Sequence, residues 1–338
     1  MNDEKSVIDR QTTADLNTLN SLLRDSSFAV KIAQYEEAKY KVGRNTALKS
    51  TDVEDSSIEK TLKEQKIAIN LAGFYATECG IGALSKITGQ KPLTILKKIV
   101  ERDLDSSQIL LLNRFANATW KASQPFRDLR RIQNSNFIVA TFLSPEEIKK
   151  DYDQILAAST LLLNKLKTFP TEAPAKEQFK AIEKLMKNTA FALEMAAHME
   201  AAYYQGQNQP VPAFITVNDE TTTMVKRTSE DKLSANLGGF YALICGLEYL
   251  SFTQSQPSSK VLRDILENRL EDNDKDLLQR FANATWKAGQ PFLGMNRITL
   301  QTFQPFDLLP KEERQKDWQR IITAAEFVHA EMSKASSF

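Results

Sequence analysis

The chain repeats itself. Residues 70–162 lie over residues 236–328 at a constant offset of 166, without a gap and with 39 identities in 93 positions. Upstream the match resumes at an offset of 163, where FAVKIAQYEEAKY from Phe28 meets FALEMAAHMEAAYY from Phe191. A repeat of about 165 residues is far longer than a solenoid unit and has the length of a domain. The 338-residue chain therefore reads as a tandem duplication. The first copy takes 1–169, a linker 170–177 (PTEAPAKE) carries prolines and small residues, and the second copy takes 178–338.

Duplication lets each element be read twice. Leu16, Leu19, Leu22, Leu23, Val30 and Ala33 recur at helical spacing, predicting one helix over about 13–41 and its copy over about 175–204. A second helix is expected from near Ser56 to Lys86 and again from Thr222 to Ser251, and a third, short one opens at Pro92 or at Ser258. A fourth ends at Pro125 or Pro291. A fifth starts at Ser144-Pro145-Glu146-Glu147, the pattern of a capping box with proline in the first turn, and its copy starts at Pro310. No stretch alternates with period two, so the expected fold class is all-α: two bundles of about five helices with approximate internal twofold symmetry.

The fourth helix carries the most strongly kept block. RFANATWKASQPF at 114–126 returns as RFANATWKAGQPF at 280–292, identical at all but one position, whereas the rest of the aligned region keeps 27 of 80. On a 3.6-residue turn two neighbouring stripes of this helix are apolar or small, and the third is Arg114, Asn117, Lys121 and Gln124 with Trp120 at its flank. Arg280, Asn283, Lys287, Gln290 and Trp286 repeat it. A solvated stripe drifts, because exposed Arg and Lys exchange at little cost; this one is expected to be enclosed. An enclosed cation needs a carboxylate, a carbonyl or a bound anion. Among carboxylates kept in both copies, Glu37 with Glu200 is the chosen partner, ahead of Glu101/Glu267, Glu146/Glu312, Glu147/Glu313 and Asp151/Asp317.

Gly73, Ala76, Gly80 and Leu84 share one face of the second helix and return as Gly239, Ala242, Gly246 and Leu250. Helical glycine costs about 1 kcal/mol relative to alanine, so keeping two per copy implies a close neighbour. That neighbour is either a packed side chain such as Trp120 or a ligand, with Tyr75 and Tyr241 at the border. The stretch 125–143 is long for an intradomain loop and reads either as a binding lid or as a segment pinned by Phe126, Leu129, Ile132 and Phe137. Cys79 and Cys245, at equivalent points of apolar helices, are expected to be buried free thiols.

Charge balance narrows the partners. With 44 basic and 43 acidic residues the chain has no bulk field for nucleic acid or an anionic membrane. The charged start without an apolar core, and the lack of an apolar run near membrane-spanning length, predict a cytoplasmic protein. No phosphate loop, paired CxxC or nucleophile-histidine pattern is present. The Asn-Ala-Thr sequons at Asn117 and Asn283 fall within a helix and are set aside, as is the Glu-x-x-His spacing near His198 and His329; no metal or cofactor is expected. The leading expectation is a non-enzymatic binding or interaction protein. Arg114 and Lys121, with Arg280 and Lys287 in the second copy, would meet an anionic ligand or a protein partner, Asn117/Asn283 and Gln124/Gln290 would orient it, and Trp120 with Tyr75 would wall it. Two alternatives stay open: an enzyme using Lys121 or Glu37 as acid or base, and a structural assembly component, for which homo-oligomers are possible.

Overall fold

A computed structural model describes residues 2–43, 62–206 and 229–335. These residues form α-helices and short 3₁₀ turns, with no strand among them. The helices are α1 (Asn2–Arg24), α2 (Ser26–Gly43), α3 (Leu62–Thr88), α4 (Pro92–Glu101), α5 (Ser106–Ser123), α6 (Pro145–Lys165), α7 (Ala175–Met186), α8 (Thr189–Gly206), α9 (Ser229–Gln254), α10 (Ser258–Leu266), α11 (Asp272–Gly289) and α12 (Lys311–Ala335). The protein is all-α.

Each long first helix expected from the sequence is in fact two. Asp25 ends α1 and caps α2, its Oδ1 accepting from Ser27 N at 2.8 Å and Phe28 N at 3.1 Å. Asn188 does the same between α7 and α8, accepting from Phe191 N at 3.0 Å. An Asx side chain offers the backbone an alternative to the helical ladder, and hydrophobic periodicity does not register the interruption. Ser144 caps α6 as expected, accepting from Glu147 N at 3.3 Å. Glu147 does not reach back, however: its carboxylate is drawn to Lys150 at 2.5 Å. The reciprocal capping box is at α5, where Asp105 accepts from Gln108 N at 2.9 Å and Gln108 Oε1 accepts from Asp105 N at 3.2 Å. The expected starts near Ser56 and Thr222 fall outside the described residues.

The packing is crossed. α3 lies on α5 and α9 on α11, while α5 also lies on α9 and α11 on α3. α2 covers α9 and α12, in the later part of the chain, and α8 covers α3 and α6, in the earlier part. α5 and α11 meet through stacked rings of Phe115 and Phe281, with centroids 4.1 Å apart and planes 12° apart. Phe126 and Phe292 stack likewise at 5.0 Å. The main apolar core runs from Leu16 to Val328, and a smaller cluster gathers Ala68, Phe126, Phe292 and Leu293.

The stretch Ile67–Thr88 of α3 is apolar and long enough to cross a membrane, contrary to the sequence expectation, and 89% of its most apolar window is buried inside the bundle. It is the central helix of a packed core, since a helix apolar all round must be covered on all sides.

Candidate functional site

The two stripes lie where α3, α5, α9 and α11 converge. Arg114, Asn117, Gln124, Arg280, Asn283 and Gln290 are buried, and Lys121 and Lys287 are fully so at 0% exposure. The enclosure follows from the two apolar stripes of α5 and α11, which place each helix between neighbours and leave the polar stripe facing inward. Trp120 and Trp286 are partly buried at the flank.

In the second stripe every cation has a carboxylate. Arg280 donates through Nη1 and Nη2 to the two oxygens of Asp307, both at 2.7 Å, and through Nε to Asp276 at 2.6 Å. Its guanidinium lies 4.6 Å from the centre of the Phe306 ring. Burial pulls the Arg280 pKa down and Asp307 with Asp276 more than offsets it, so the net shift is upward. Lys287 Nζ donates to Glu78 Oε2 at 2.5 Å, both side chains being wholly inaccessible, and approaches Cys79 Sγ at 3.8 Å. Desolvation lowers the Lys287 pKa, but the Cys79 and Glu78 charges outweigh it and leave the ammonium above lysine's ordinary value. Asn283 Nδ2 donates to Asp317 at 3.0 Å.

The first stripe is held differently. Arg114 Nη2 donates to Thr141 Oγ1 at 3.1 Å and is 4.0 Å from Glu248 Oε1. That oxygen accepts from Thr141 N at 2.9 Å and Oγ1 at 3.1 Å. Arg114 Nε and Glu248 Oε2 are buried with no hydrogen-bond partner. Lys121 Nζ donates to Asn117 Oδ1, and Asn117 Nδ2 donates to Asp151 Oδ2 at 3.3 Å.

Set at the same offset, the two networks exchange their carboxylates between positions. Asp307 aligns with Thr141, and Glu248 with Gly82; a Cβ on Gly82 would lie 2.5 Å from Arg280 Nη1 and 2.6 Å from Asp307 Oδ2. The carboxylate facing each arginine thus comes from a 3₁₀ turn in one case and from α9 in the other, and glycine clears the space where Asp307 enters. Glu78 aligns with Ile244, so the carboxylate that pairs with Lys287 has an apolar side chain at the matching position, and Lys121 donates to the Asn117 amide. Thr77 and Leu243, like Glu78 and Ile244, are buried at matching positions of α3 and α9. Among the described carboxylates, Asp151 and Asp317 serve the two stripes from matching positions. Burial lifts each to about 7, and Lys121 with the Asn117 bond, or Arg320 with the Asn283 bond, pulls the other way.

Glu37, the partner expected from the sequence, has its side chain outside the described residues, and Glu200 is half-buried on α8. The partners Glu78, Glu248, Asp276 and Asp307 align with Ile244, Gly82, Leu110 and Thr141, so none of them recurs at the matching position. Gln124 and Gln290 are both tied down: Gln124 Oε1 accepts from Arg131 Nη1 at 3.1 Å and Gln290 Oε1 from Arg297 Nε at 2.7 Å. Arg131 and Arg297 stand at matching positions, so the two amides are held alike. With Phe126, Ile132 and Phe137 buried as well, the 125–143 segment is pinned to the bundle.

The aromatic wall is crossed too. Trp120 packs on Phe137 at 5.8 Å and Phe137 on Tyr241 at 5.4 Å, whereas Trp286 reaches Tyr75 through Phe303 at 5.9 and 5.2 Å. Both tyrosine hydroxyls are buried without a partner, and burial pushes their pKa values up. The kept glycines seat neighbouring side chains. A Cβ on Gly80 would meet Leu112 Cδ2 at 2.5 Å and one on Gly246 would meet Leu278 Cδ2 at 2.3 Å. Cys79 and Cys245 are buried and free, and burial pushes the Cys245 thiol up to about 12, which leaves it protonated and inert at neutral pH.

The chain matches no protein-family model, no curated protein and no solved structure.

Proposed function

We propose that the protein is a non-enzymatic interaction protein: a tandem duplication of a helical bundle with an approximate internal twofold relation, in which the two kept stripes lock one copy to the other. Support for the twofold relation comes from Phe115 on Phe281 and Phe126 on Phe292, since a residue meets its own counterpart only near such an axis. The lock reading is carried by one observation: Lys287 and Glu78, on different copies, form a wholly inaccessible ion pair. A catalytic lysine must be deprotonated and reachable; a paired ammonium in the core is neither. The chemistry-bearing residues are spent on holding the copies in register, and partners meet the outer surface.

An anionic ligand at the first stripe is the second reading, favoured by the unpartnered donor Arg114 Nε. Thermal-shift and calorimetric titration of the full chain with a panel of small carboxylates and phosphates separates the two. The lock reading expects no saturable binding and a lowered melting temperature in Arg114→Ala. Saturable binding that Arg114→Ala abolishes and Arg280→Ala spares establishes the ligand reading. Turnover of any metabolite that Lys121→Met abolishes overturns both.

A further inference from the structure

α2 and α8 occupy corresponding seats over glycines of α9 and α3, and the seats are filled with different chemistry. On α8 the Cε of Met199 would lie 2.6 Å from a Cβ on Gly73, with Gln154 beside it at 3.2 Å. On α2 the aligned residue is Glu36, whose two oxygens would lie 2.6 and 3.0 Å from a Cβ on Gly239. Glu36 is 8% exposed and its Oε1 has no hydrogen-bond partner. A thioether suits such a seat, but a carboxylate suits it only when protonated.

We infer that α2 is a proton-dependent latch: it sits on α9 and α12 while Glu36 is neutral and loosens when Glu36 ionises, whereas α8, with Met199, stays seated at any pH. Among the described residues the charged group that acts on Glu36 is Arg320 of α12, which also acts on Asp317 of the same helix. Arg320 acts on Glu36 directly, favouring the ionised form, and burial outweighs it, lifting Glu36 to about 8. Glu326 is engaged elsewhere, accepting from Tyr35 Oη at 2.7 Å and pairing with Lys39 at 3.0 Å. The Phe28 contacts to Phe240 at 5.2 Å and Phe327 at 5.4 Å hold the latch shut, and opening exposes both rings.

The sign follows from linkage. A carboxylate with a raised folded-state pKa stabilises the closed form fully below its unfolded value near 4.3, and that contribution is lost as pH rises toward 8. The opening constant of α2 then rises by about tenfold per pH unit across that window. Hydrogen exchange followed by mass spectrometry on the full chain at pH 5.5, 6.5 and 7.5, corrected for intrinsic exchange, reads this directly. Protection of residues 26–36 is expected to fall by about tenfold per unit more than protection of 189–199, and Glu36→Met, which copies the α8 seat, is expected to remove the difference. Glu36→Gln serves as the second variant and is expected to do the same. Equal pH slopes for the two segments in the wild-type protein, or a slope that survives both substitutions, overturns the latch.

Discussion

Removing one member of the Lys287–Glu78 pair is the sharpest perturbation. Both groups are at 0% side-chain exposure and 2.5 Å apart, so Lys287→Met strands a carboxylate in the core. Breaking a buried pair from one side costs about 3–5 kcal/mol, against about 0–1 kcal/mol for an exposed pair. Removing both members is a different matter: the position aligned with Glu78 is Ile244, which is fully buried, so Lys287→Met with Glu78→Ile replaces the ion pair by two apolar side chains. The double variant is expected within about 1 kcal/mol of the wild type, giving a coupling of several kcal/mol in a double-mutant cycle measured by urea denaturation. A loss below about 1 kcal/mol for Lys287→Met, or additive single effects, would refute the enclosed pair.

The arginine exchange makes a second cycle: Glu248→Gly alone is expected to destabilise, and adding Thr141→Asp, which reproduces the Arg280–Asp307 geometry around Arg114, is expected to recover most of the loss in the same denaturation assay. Asp151 and Asp317, both lifted to about 7 by burial, contribute stability that is complete below pH 4 and lost as pH rises through 7, on the order of 4 kcal/mol each. Asp151→Asn and Asp317→Asn should therefore flatten the decline in denaturation free energy between pH 5 and 8, and a decline left unchanged in the double variant counts against these carboxylates. At the glycines, a Cβ on Gly238 finds its nearest neighbour at 3.6 Å while one on Gly246 meets Leu278 at 2.3 Å. Gly238→Ala should gain about 0.5–1 kcal/mol and Gly246→Ala lose about 1–3 kcal/mol, read as opposite shifts in urea midpoint.

The fold class was legible because helical period, proline stops and caps appear twice in the sequence, and each aligned segment checks the other. The breaks at Asp25 and Asn188 were not, because an Asx cap leaves the apolar spacing intact. Enclosure of the Arg114 and Arg280 stripes was legible from retention, since an exposed cation is free to drift. Their partners were not. Matching positions pick out residues that play the same part in both aligned segments, and here Glu78 opposite Ile244 and Asp307 opposite Thr141 are compensating differences that show only once the helices are packed. Crossing of α2 and α8 onto the far segments leaves no mark in one-dimensional periodicity either, since a helix presents the same apolar face whichever neighbour covers it.

Lysine reactivity tests the sealed stripe most directly. Treating the native full chain with a small amine-acylating reagent and mapping the products by mass spectrometry should label Lys97 and Lys149, which are 61% and 70% exposed. Lys121 and Lys287 should stay unmodified until the protein is denatured. Acylation of Lys121 or Lys287 in the native protein at a rate comparable to that of Lys149 would contradict the account.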